Sequence, residues 1–205
     1  MADSWLRRTL ASAQEWGFLG PGPVEQHLKH AELFWRSWEE LVGDPPGALL
    51  DLGSGGGVPG LILLERWQRR TVLLDAMQRR AAFLERALSD EESPAGGVVW
   101  LGRAEELARE SRAEEAFDLV TARSFGPPAV TAECAARFLR VGGLLIVSEP
   151  PDGGLRWPED GVGRLGLRHR DARREPFAVE ILEKVAPTPA PYPRRVGVPA
   201  KRPLF

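Results

Sequence analysis

The stretch that decides the fold is residues 48–60, ALLDLGSGGGVPG. It starts with apolar residues typical of a short buried strand and runs into a glycine-rich loop. Pro59 suits the first turn of a following helix, because the N–H that proline lacks would have no partner there. A strand, a glycine loop and a helix in this order predict one unit of a parallel sheet that binds a ligand at the loop.

Strands and helices alternate on both sides of this stretch. The alternation and the continuously apolar strands predict an α/β, Rossmann-like fold with a mostly parallel seven-stranded sheet, covered by helices on both faces. Two short helices are expected before the sheet. Helices are predicted at 5–16, 24–42, 78–89, 104–112 and 128–139, and strands at 48–52, 71–74, 98–101, 117–122, 143–147, 164–170 and 177–185. An antiparallel arrangement is open for the last two strands.

The composition fits one globular domain with a small appendage. The chain has 205 residues, of which 43% are hydrophobic and 27% are charged. We expect N-terminal helices over 1–46, the ligand-binding domain over 47–185, and an extended, basic, proline-rich tail over 186–205. Residues 1–150 carry 16 basic and 22 acidic side chains, whereas the remainder is net positive, which hints at an anionic partner on the C-terminal side.

The cysteine content and the length of the apolar runs limit the cellular compartment and the types of site that the chain can form. A single cysteine, Cys134, excludes an intrachain disulfide and a cysteine-cluster metal site. It is expected inside a helix, far from the strand ends, and not to act as a nucleophile. No apolar run approaches the ~18 residues of a membrane span. A monomeric cytoplasmic protein without a metal ion is therefore expected.

Two acids end the first two predicted strands, Asp51 before the glycine loop and Asp75 after strand two. In a doubly wound fold, ligands bind at the carboxyl ends of the strands. Asp75 can accept hydrogen bonds from ribose hydroxyls, and Asp51 can face a cationic amino-acid head group. The bland alternative is that the glycines form a tight turn and both acids cap helices.

Residues 55–60 also fit the G-x-G-x-x-G pattern of dinucleotide sites. Against that ligand, Asp51 abuts the loop and would repel a pyrophosphate. The chain is also too short for a separate substrate domain, and the sheet is expected to end in an antiparallel pair. An adenosine ligand with a methionine head group fits better.

Residues 50–60 resemble the first motif of class I S-adenosylmethionine-dependent methyltransferases. The Val-Pro-Gly ending is similar to that of the 16S rRNA guanine-N7 methyltransferase family (RsmG, also called GidB), of which this chain resembles a short, diverged member. Four further segments resemble motifs of that family, namely 75–84, 102–106, 120–125 and the tail motif at 192–204, YPRRVGVPAKRPL.

The resemblance implies S-adenosylmethionine as cofactor and 16S rRNA or the small ribosomal subunit as partner. Asp75 would take the ribose, and Arg123 would lie at the mouth of the site. Glu105 is weighed equally against a helix-capping acid, and Arg123 against a surface ion pair. The implied cofactor-binding residues are Asp51, Gly53, Gly55, Gly57, Val58, Asp75, Ala104, Glu105 and Arg123.

The tail residues Arg194, Arg195, Lys201 and Arg202 are interpreted as RNA-binding. The basic stretch at 164–174 is interpreted rather as a solvated strand edge. Aromatic residues of the first two helices, Trp16 among them, are expected in the core more than as base-stacking platforms.

The sequence departs from the family at two places, in its N-terminal helices and after strand five. The N-terminal helices look shortened, and His30 is a candidate for a histidine that the family carries. Ser148-Glu149 replaces the Lys-Gly that the family shows after strand five. Glu149 should repel RNA unless an arginine neutralises it, and Arg194-Arg195 is the candidate.

The function that the sequence favours is N7-methylation of a guanine in 16S rRNA. Guanine N7 has a lone pair and no proton, so the reaction needs positioning rather than a general base. No catalytic residue is therefore named. The alternatives are a class I methyltransferase acting on a small molecule or a protein, and a non-catalytic paralogue that binds the cofactor or RNA.

Overall fold

A seven-stranded sheet lies at the centre of the computed structural model, which describes residues 4–150, 156–175 and 177–205. Its strands are β1 (Ala48–Leu52), β2 (Arg70–Asp75), β3 (Gly97–Leu101), β4 (Phe117–Ala122), β5 (Leu139–Glu149), β6 (Leu167–Arg173) and β7 (Ala178–Lys184). The order across the sheet is β3-β2-β1-β4-β5-β7-β6. The first five strands pair in parallel, whereas β7 is antiparallel to both β5 and β6. The predicted fold class is confirmed.

Eight helices are described around the sheet. They are α1 (Trp5–Glu15), α2 (Val24–Leu41), α3 (Gly60–Trp67), α4 (Gln78–Leu88), α5 (Ala104–Leu107), α6 (Pro128–Ala136), α7 (Glu159–Gly163) and α8 (Val198–Lys201). Alternate residues of each strand point to opposite faces, and both faces are apolar. Leu50 and Leu52 of β1 pack with residues of α5, α6 and α7, whereas Leu49 packs with residues of α2 and α3.

The order reversal beside β1 fixes where a ligand can bind. β2 and β4 flank β1 on its two sides, and the loops that leave these three strands meet at one edge of the sheet. Such a switch point opens a crevice outside the carboxyl ends of the strands.

Several predicted boundaries are wrong. The helix after β3 ends at Leu107 instead of 112, and β5 extends over Leu139–Glu149 instead of 143–147. The predicted helix at 128–139 stops at Ala136, since the chain enters β5 at Leu139. α7 was not predicted, although the acids Glu159 and Asp160 in its first turn favour a helix N-terminus.

The tail was predicted to be extended and not helical, but it contains the short helix α8. Pro199 lies in the first turn of this helix, where proline is tolerated. The tail packs against the domain, since the Arg109 guanidinium donates to the carbonyl of Pro193 (2.6 Å) and that of Arg137 to Tyr192 (2.8 Å). Phe205 packs against the core beside Gly161 of α7.

The buried Lys184 ties β7 to the start of the tail. Its Nζ donates to the carbonyl of Ala136 at the end of α6 and to the hydroxyl of Thr188. Burial lowers the pKa of Lys184 to about 8. No helix in the described part of the chain is long and apolar enough to cross a membrane.

Candidate functional site

A cavity of about 410 Å³ lies at the carboxyl ends of β2, β3 and β4. The segment after each strand contributes one side of it, and α6 and α8 contribute the rest. Its lining includes Gly53, Asp75, Met77, Arg80, Arg103, Ala104, Glu105, Phe125, Val130, Cys134 and Ala200. Four of the residues proposed from sequence, Gly53, Asp75, Ala104 and Glu105, are thus brought together.

Asp75 is the acid at the centre of this cavity and is 3% exposed. Its Oδ2 accepts the backbone N–H of Gly55 (2.9 Å) and its Oδ1 that of Met77 (2.8 Å). Each carboxylate oxygen has a second lone pair, so both can also accept a hydroxyl hydrogen. The two backbone donors therefore fix the carboxylate in a position to receive a vicinal diol such as that of ribose.

Asp51 lies beneath the glycine loop instead of lining the cavity. It is 1% exposed, and its two oxygens accept from the Thr121 hydroxyl (2.8 Å) and from the backbone N–H of Gly60 (3.1 Å). Burial raises its pKa to about 6, against the opposing effect of these hydrogen bonds. Asp51 thus joins β1, β4 and the start of α3. In this arrangement both of its oxygens bind the protein itself, and the carboxylate does not face the cavity where a cationic head group was expected to bind.

Of the loop glycines, Gly53 alone is among the residues described as lining the cavity. Its φ is +73°, and a Cβ there would lie 2.6 Å from the ring of Phe125. At Gly57, also at positive φ, a Cβ would collide with Leu61 of α3. Val58 is 4% exposed and belongs to the core between α1 and α3. The loop therefore shapes the cavity largely through its backbone.

Glu105 links the cavity to the tail. It is 5% exposed, and its Oε1 accepts the backbone N–H of Gly197 (3.1 Å) and the guanidinium of Arg103 (3.2 Å). Burial acts to raise the pKa of Glu105, but the backbone N–H groups of Glu105 and Gly197 together with Arg103 outweigh it and lower the pKa. Three residues after Gly197, Ala200 enters the cavity wall. The C-terminal segment is thus part of the site. The sequence assigned its basic residues to RNA contact but did not indicate Gly197 or Ala200, because the contact with Glu105 spans 92 residues.

Arg123 follows β4 but faces α2 rather than the cavity. Its guanidinium donates to Nδ1 of His27 (3.2 Å), while Nε2 of the same ring faces the carbonyl of Gly20 (3.2 Å). The neutral tautomer with the proton on Nε2 satisfies both contacts. Burial, and secondarily the charge of Arg123, lower the pKa of His27. His30 stacks on Phe177 at 4.7 Å, and burial lowers its pKa to about 4.

Cys134 was expected far from the strand ends, yet it lines the cavity from α6. It is 1% exposed, and burial raises the pKa of its thiol. A protonated thiol is a poor nucleophile, so the residue serves as apolar wall.

The cationic residues of the tail fall into two groups. Arg194 donates from its guanidinium to Glu133 (2.6 Å), a carboxylate that is fully buried in α6, and its backbone N–H donates to the same group (2.7 Å). Arg194 therefore docks the tail onto α6. Its guanidinium is paired with Glu133 and does not offer an unpaired charge to RNA. Arg195, Lys201 and Arg202 are exposed and form no ion pair within the described residues.

Glu149 is neutralised, but not by the tail arginines that were proposed. Its Oε2 accepts from Arg156 at 2.8 Å, and the side chain is 5% exposed. The arginines at 168, 170, 173 and 174 are all paired with acids, which agrees with the interpretation of this stretch as a strand edge.

A second cavity of about 550 Å³ lies between α2 and the β6–β7 hairpin. Its charges are mixed, with Lys29, Arg36 and Arg173 facing Glu32 and Glu40. It does not lie at the glycine loop, so the cavity beside Asp75 is the candidate site.

The fold and this site define a class I methyltransferase, whose cofactor is S-adenosylmethionine. Among solved structures with this fold is a mutant of MtNAS in complex with S-adenosylmethionine, with a TM-score of 0.60, 12% identity, and coverage of 88% of this chain and 73% of that one. The antibiotic-resistance methyltransferase Kmr superposes with a TM-score of 0.54 at 14% identity, covering 72% of this chain and 90% of that one. At these identities the likeness shows the fold alone.

The family is shown by sequence. The family model for rRNA small subunit methyltransferase G (GidB) matches residues 29–149. A ribosomal RNA small subunit methyltransferase G of Symbiobacterium thermophilum is 36% identical over 89% of this chain and 80% of its own length. One from a Thermotoga species is 38% identical over 87% of this chain and 79% of its own length. The chain belongs to the rRNA small subunit methyltransferase G family.

Proposed function

We propose that this protein transfers a methyl group from S-adenosylmethionine to N7 of a guanine in 16S rRNA of the small ribosomal subunit. The observation that carries the proposal is the Asp75 carboxylate, fixed by two backbone N–H groups inside a cavity at the switch point of the sheet. Family membership supports ribosomal RNA as the substrate.

The cavity suits the cofactor. Asp75 would accept the ribose hydroxyls, while Ala104, Val130 and Cys134 offer an apolar wall for the adenine. Gly53 leaves room at the methionine end, where any side chain would meet Phe125. Bound S-adenosylmethionine supplies an electrophilic methyl group on a positively charged sulfur.

Positioning is the work left to the protein. Guanine N7 carries its lone pair in the plane of the ring and has no proton to lose, so no general base is required. The described acids of the cavity agree with this, because Asp75 and Glu105 already accept backbone N–H groups. In this proposal the enzyme holds the two reactants in line and excludes water.

RNA contact by the tail is proposed for Arg195, Lys201 and Arg202, the exposed cations beside the wall residue Ala200. For Gly55, Gly57 and Asp51 the proposed role in cofactor binding is indirect, because these residues set the shape of the glycine loop and do not line the cavity. Val58 and Arg123 are not among the described residues that line the cavity. The cytoplasmic location, the monomeric state, the absence of a metal and the three-segment division stay predictions.

The proposal is tested by mass spectrometry of 16S rRNA from cells with and without the gene. We expect one 7-methylguanosine to disappear without the gene and to return when the intact gene is restored. Asp75→Ala should not restore it, because the ribose loses its acceptor, whereas Glu106→Ala, an exposed acid beside the cavity, should. Unchanged methylation without the gene would contradict the substrate and favour a small molecule or a protein.

Binding to the purified protein separates the remaining alternative. Calorimetry should detect S-adenosylhomocysteine binding that Asp75→Ala weakens at least tenfold. A protein that binds this ligand and 16S rRNA but leaves the RNA unmethylated in a single-turnover assay is the non-catalytic paralogue.

A further inference from the structure

Trp16, at the end of α1, is the exposed member of the seven tryptophans, all of which lie in the described part of the chain. Its exposure is 48%, whereas Trp5 and Trp38 are each 3% exposed. The expectation that the aromatic residues of the first two helices pack in the core is therefore wrong for this one. An exposed indole ring costs solvation free energy unless something covers it in the working state.

Two arginines of α4 flank the indole. The Cζ atoms of Arg79 and Arg86 lie 6.0 and 5.9 Å from the Trp16 ring centroid. Seven residues apart, they lie on one face of the helix, two turns from each other. Together with Ala82 and Phe83, these three residues border one shallow cavity.

The charges of both arginines are free. Neither forms an ion pair with a described residue, although Asp90 borders a neighbouring cavity with Arg86 and Glu15 directly precedes Trp16. By contrast, the arginines of the β6–β7 hairpin are all engaged with acids. In a chain of net charge −2, unpaired arginines on an exposed indole are a local excess of positive charge.

This surface is continuous with the cofactor cavity. Met77 and Arg80, both within two residues of Arg79 at the start of α4, line the cavity, and Met77 is 51% exposed. The ring of Phe18 lies 6.1 Å from that of Trp16, and the carbonyl of Phe18 lies against the glycine loop at Gly55. A strand bound on Trp16 could thus extend to the cavity mouth without crossing an intervening element.

We propose that Trp16, Arg79 and Arg86 form a docking surface for an unpaired segment of the substrate RNA. A base stacks on the indole face, and the two guanidiniums bind the phosphates on either side of it. The surface rests on the proposed function, because it needs an RNA substrate. It also divides the work of RNA binding between two elements of the cavity lining, since α4 contributes Arg80 and α8, which precedes Arg202, contributes Ala200.

The test compares two double variants in fluorescence anisotropy with a labelled single-stranded 16S rRNA oligonucleotide. Arg79→Gln/Arg86→Gln removes both charges from the surface. Arg69→Gln/Arg164→Gln removes two exposed, unpaired charges from the opposite edge of the sheet. We expect the first pair to weaken binding at least tenfold and to reduce the slope of log K against log salt by about 1.4, as two phosphate contacts require. The control pair should change affinity less than threefold.

Stacking is tested separately. Trp16→Ala should weaken RNA binding about tenfold with an unchanged salt slope, and Trp16→Phe should recover most of the loss. Affinity for S-adenosylhomocysteine should be unchanged in all these variants, which also shows that they fold.

Equal losses of RNA affinity in the two double variants would overturn the docking surface, because the net charge of the protein would then account for the binding. So would equally tight binding of a polyglutamate peptide of matched charge, because the site would then recognise any polyanion. If the unmutated protein neither binds nor methylates RNA, the proposed function fails. If it methylates RNA and the Trp16 and Arg79/Arg86 variants bind normally, the docking surface alone fails.

Discussion

Two walls enclose the cavity, and they are built differently. The strand-end wall consists of Gly53, Asp75 and Ala104, each within a few residues of a β-strand terminus. The C-terminal wall, residues 192–202, is held by Arg194 on Glu133 and by Gly197 on Glu105. The first wall is local in sequence, whereas the second depends on contacts between segments 61 and 92 residues apart.

The difference shows where each wall is vulnerable. The strand-end wall is fixed by backbone N–H groups that bind buried carboxylates, so it is sensitive to added volume. One of the two anchors of the C-terminal wall is a buried charge in α6, so this wall is sensitive to the loss of the partner of that charge.

The largest effect is expected for Arg194→Ala. Glu133 is fully buried, and removal of the Arg194 side chain leaves its carboxylate in the core with the backbone N–H of residue 194 but without a counter-charge. The free energy of unfolding should fall by about 3–5 kcal/mol in urea denaturation. Arg195→Ala, at the exposed neighbouring residue, should cost less than about 0.5 kcal/mol. Equal costs for the two variants would show that the C-terminal wall is not anchored by this ion pair.

A smaller loss is expected for Gly60→Ala at the start of α3, behind the strand-end wall, where the backbone N–H of Gly60 binds the buried Asp51. The added Cβ would lie 2.6 Å from Oδ2 of Asp51 and would also press on Leu73. Overpacking of this kind costs about 1–3 kcal/mol. Gly20→Ala is the control, because nothing lies within 4 Å of a Cβ there. If Gly60→Ala leaves the free energy of unfolding unchanged, Asp51 can move, and the loop is less tightly held than its hydrogen bonds indicate.

The last effect concerns pH and the anchor Lys184. The pKa of Lys184 is lowered to about 8 in the folded protein, whereas an unperturbed lysine, as in the unfolded chain, has a pKa of 10.5. Between these values the unfolded chain binds the proton and the folded protein does not, so stability should rise as pH increases from 8 to 10.5. The slope cannot exceed about 1.4 kcal/mol per pH unit. Lys184→Met should lack this rise in denaturation curves at about pH 7.5, 8.5 and 9.5, and parallel profiles would contradict the assignment.

The sequence predicted what is local. The glycine loop, both acids and the first two strands follow from residues 48–75, because periodicity and turn chemistry act over short distances. Ala104 and Glu105, which the sequence singled out, line the cavity. Asp51 lies beneath the loop, a side that the sequence does not specify, because packing alone decides where an acid at a strand end points.

The rest depends on tertiary contacts. Arg194 and Arg195 are adjacent and identical in type, yet one is consumed by Glu133 and the other is free. Nothing in the spacing distinguishes them. For the same reason Trp16 could not be separated from the buried Trp5, although both lie on or beside α1.

The C-terminal wall also has a consequence for biosynthesis. A chain is made from its N-terminus, and domains begin to fold while translation continues. All seven strands and the strand-end wall are synthesised before residues 194–200, so the cavity stays open on one side until these residues have left the ribosome and docked. A nascent chain of this protein would therefore hold its cofactor poorly, and full affinity would arise only after the segment at 194–200 has been released.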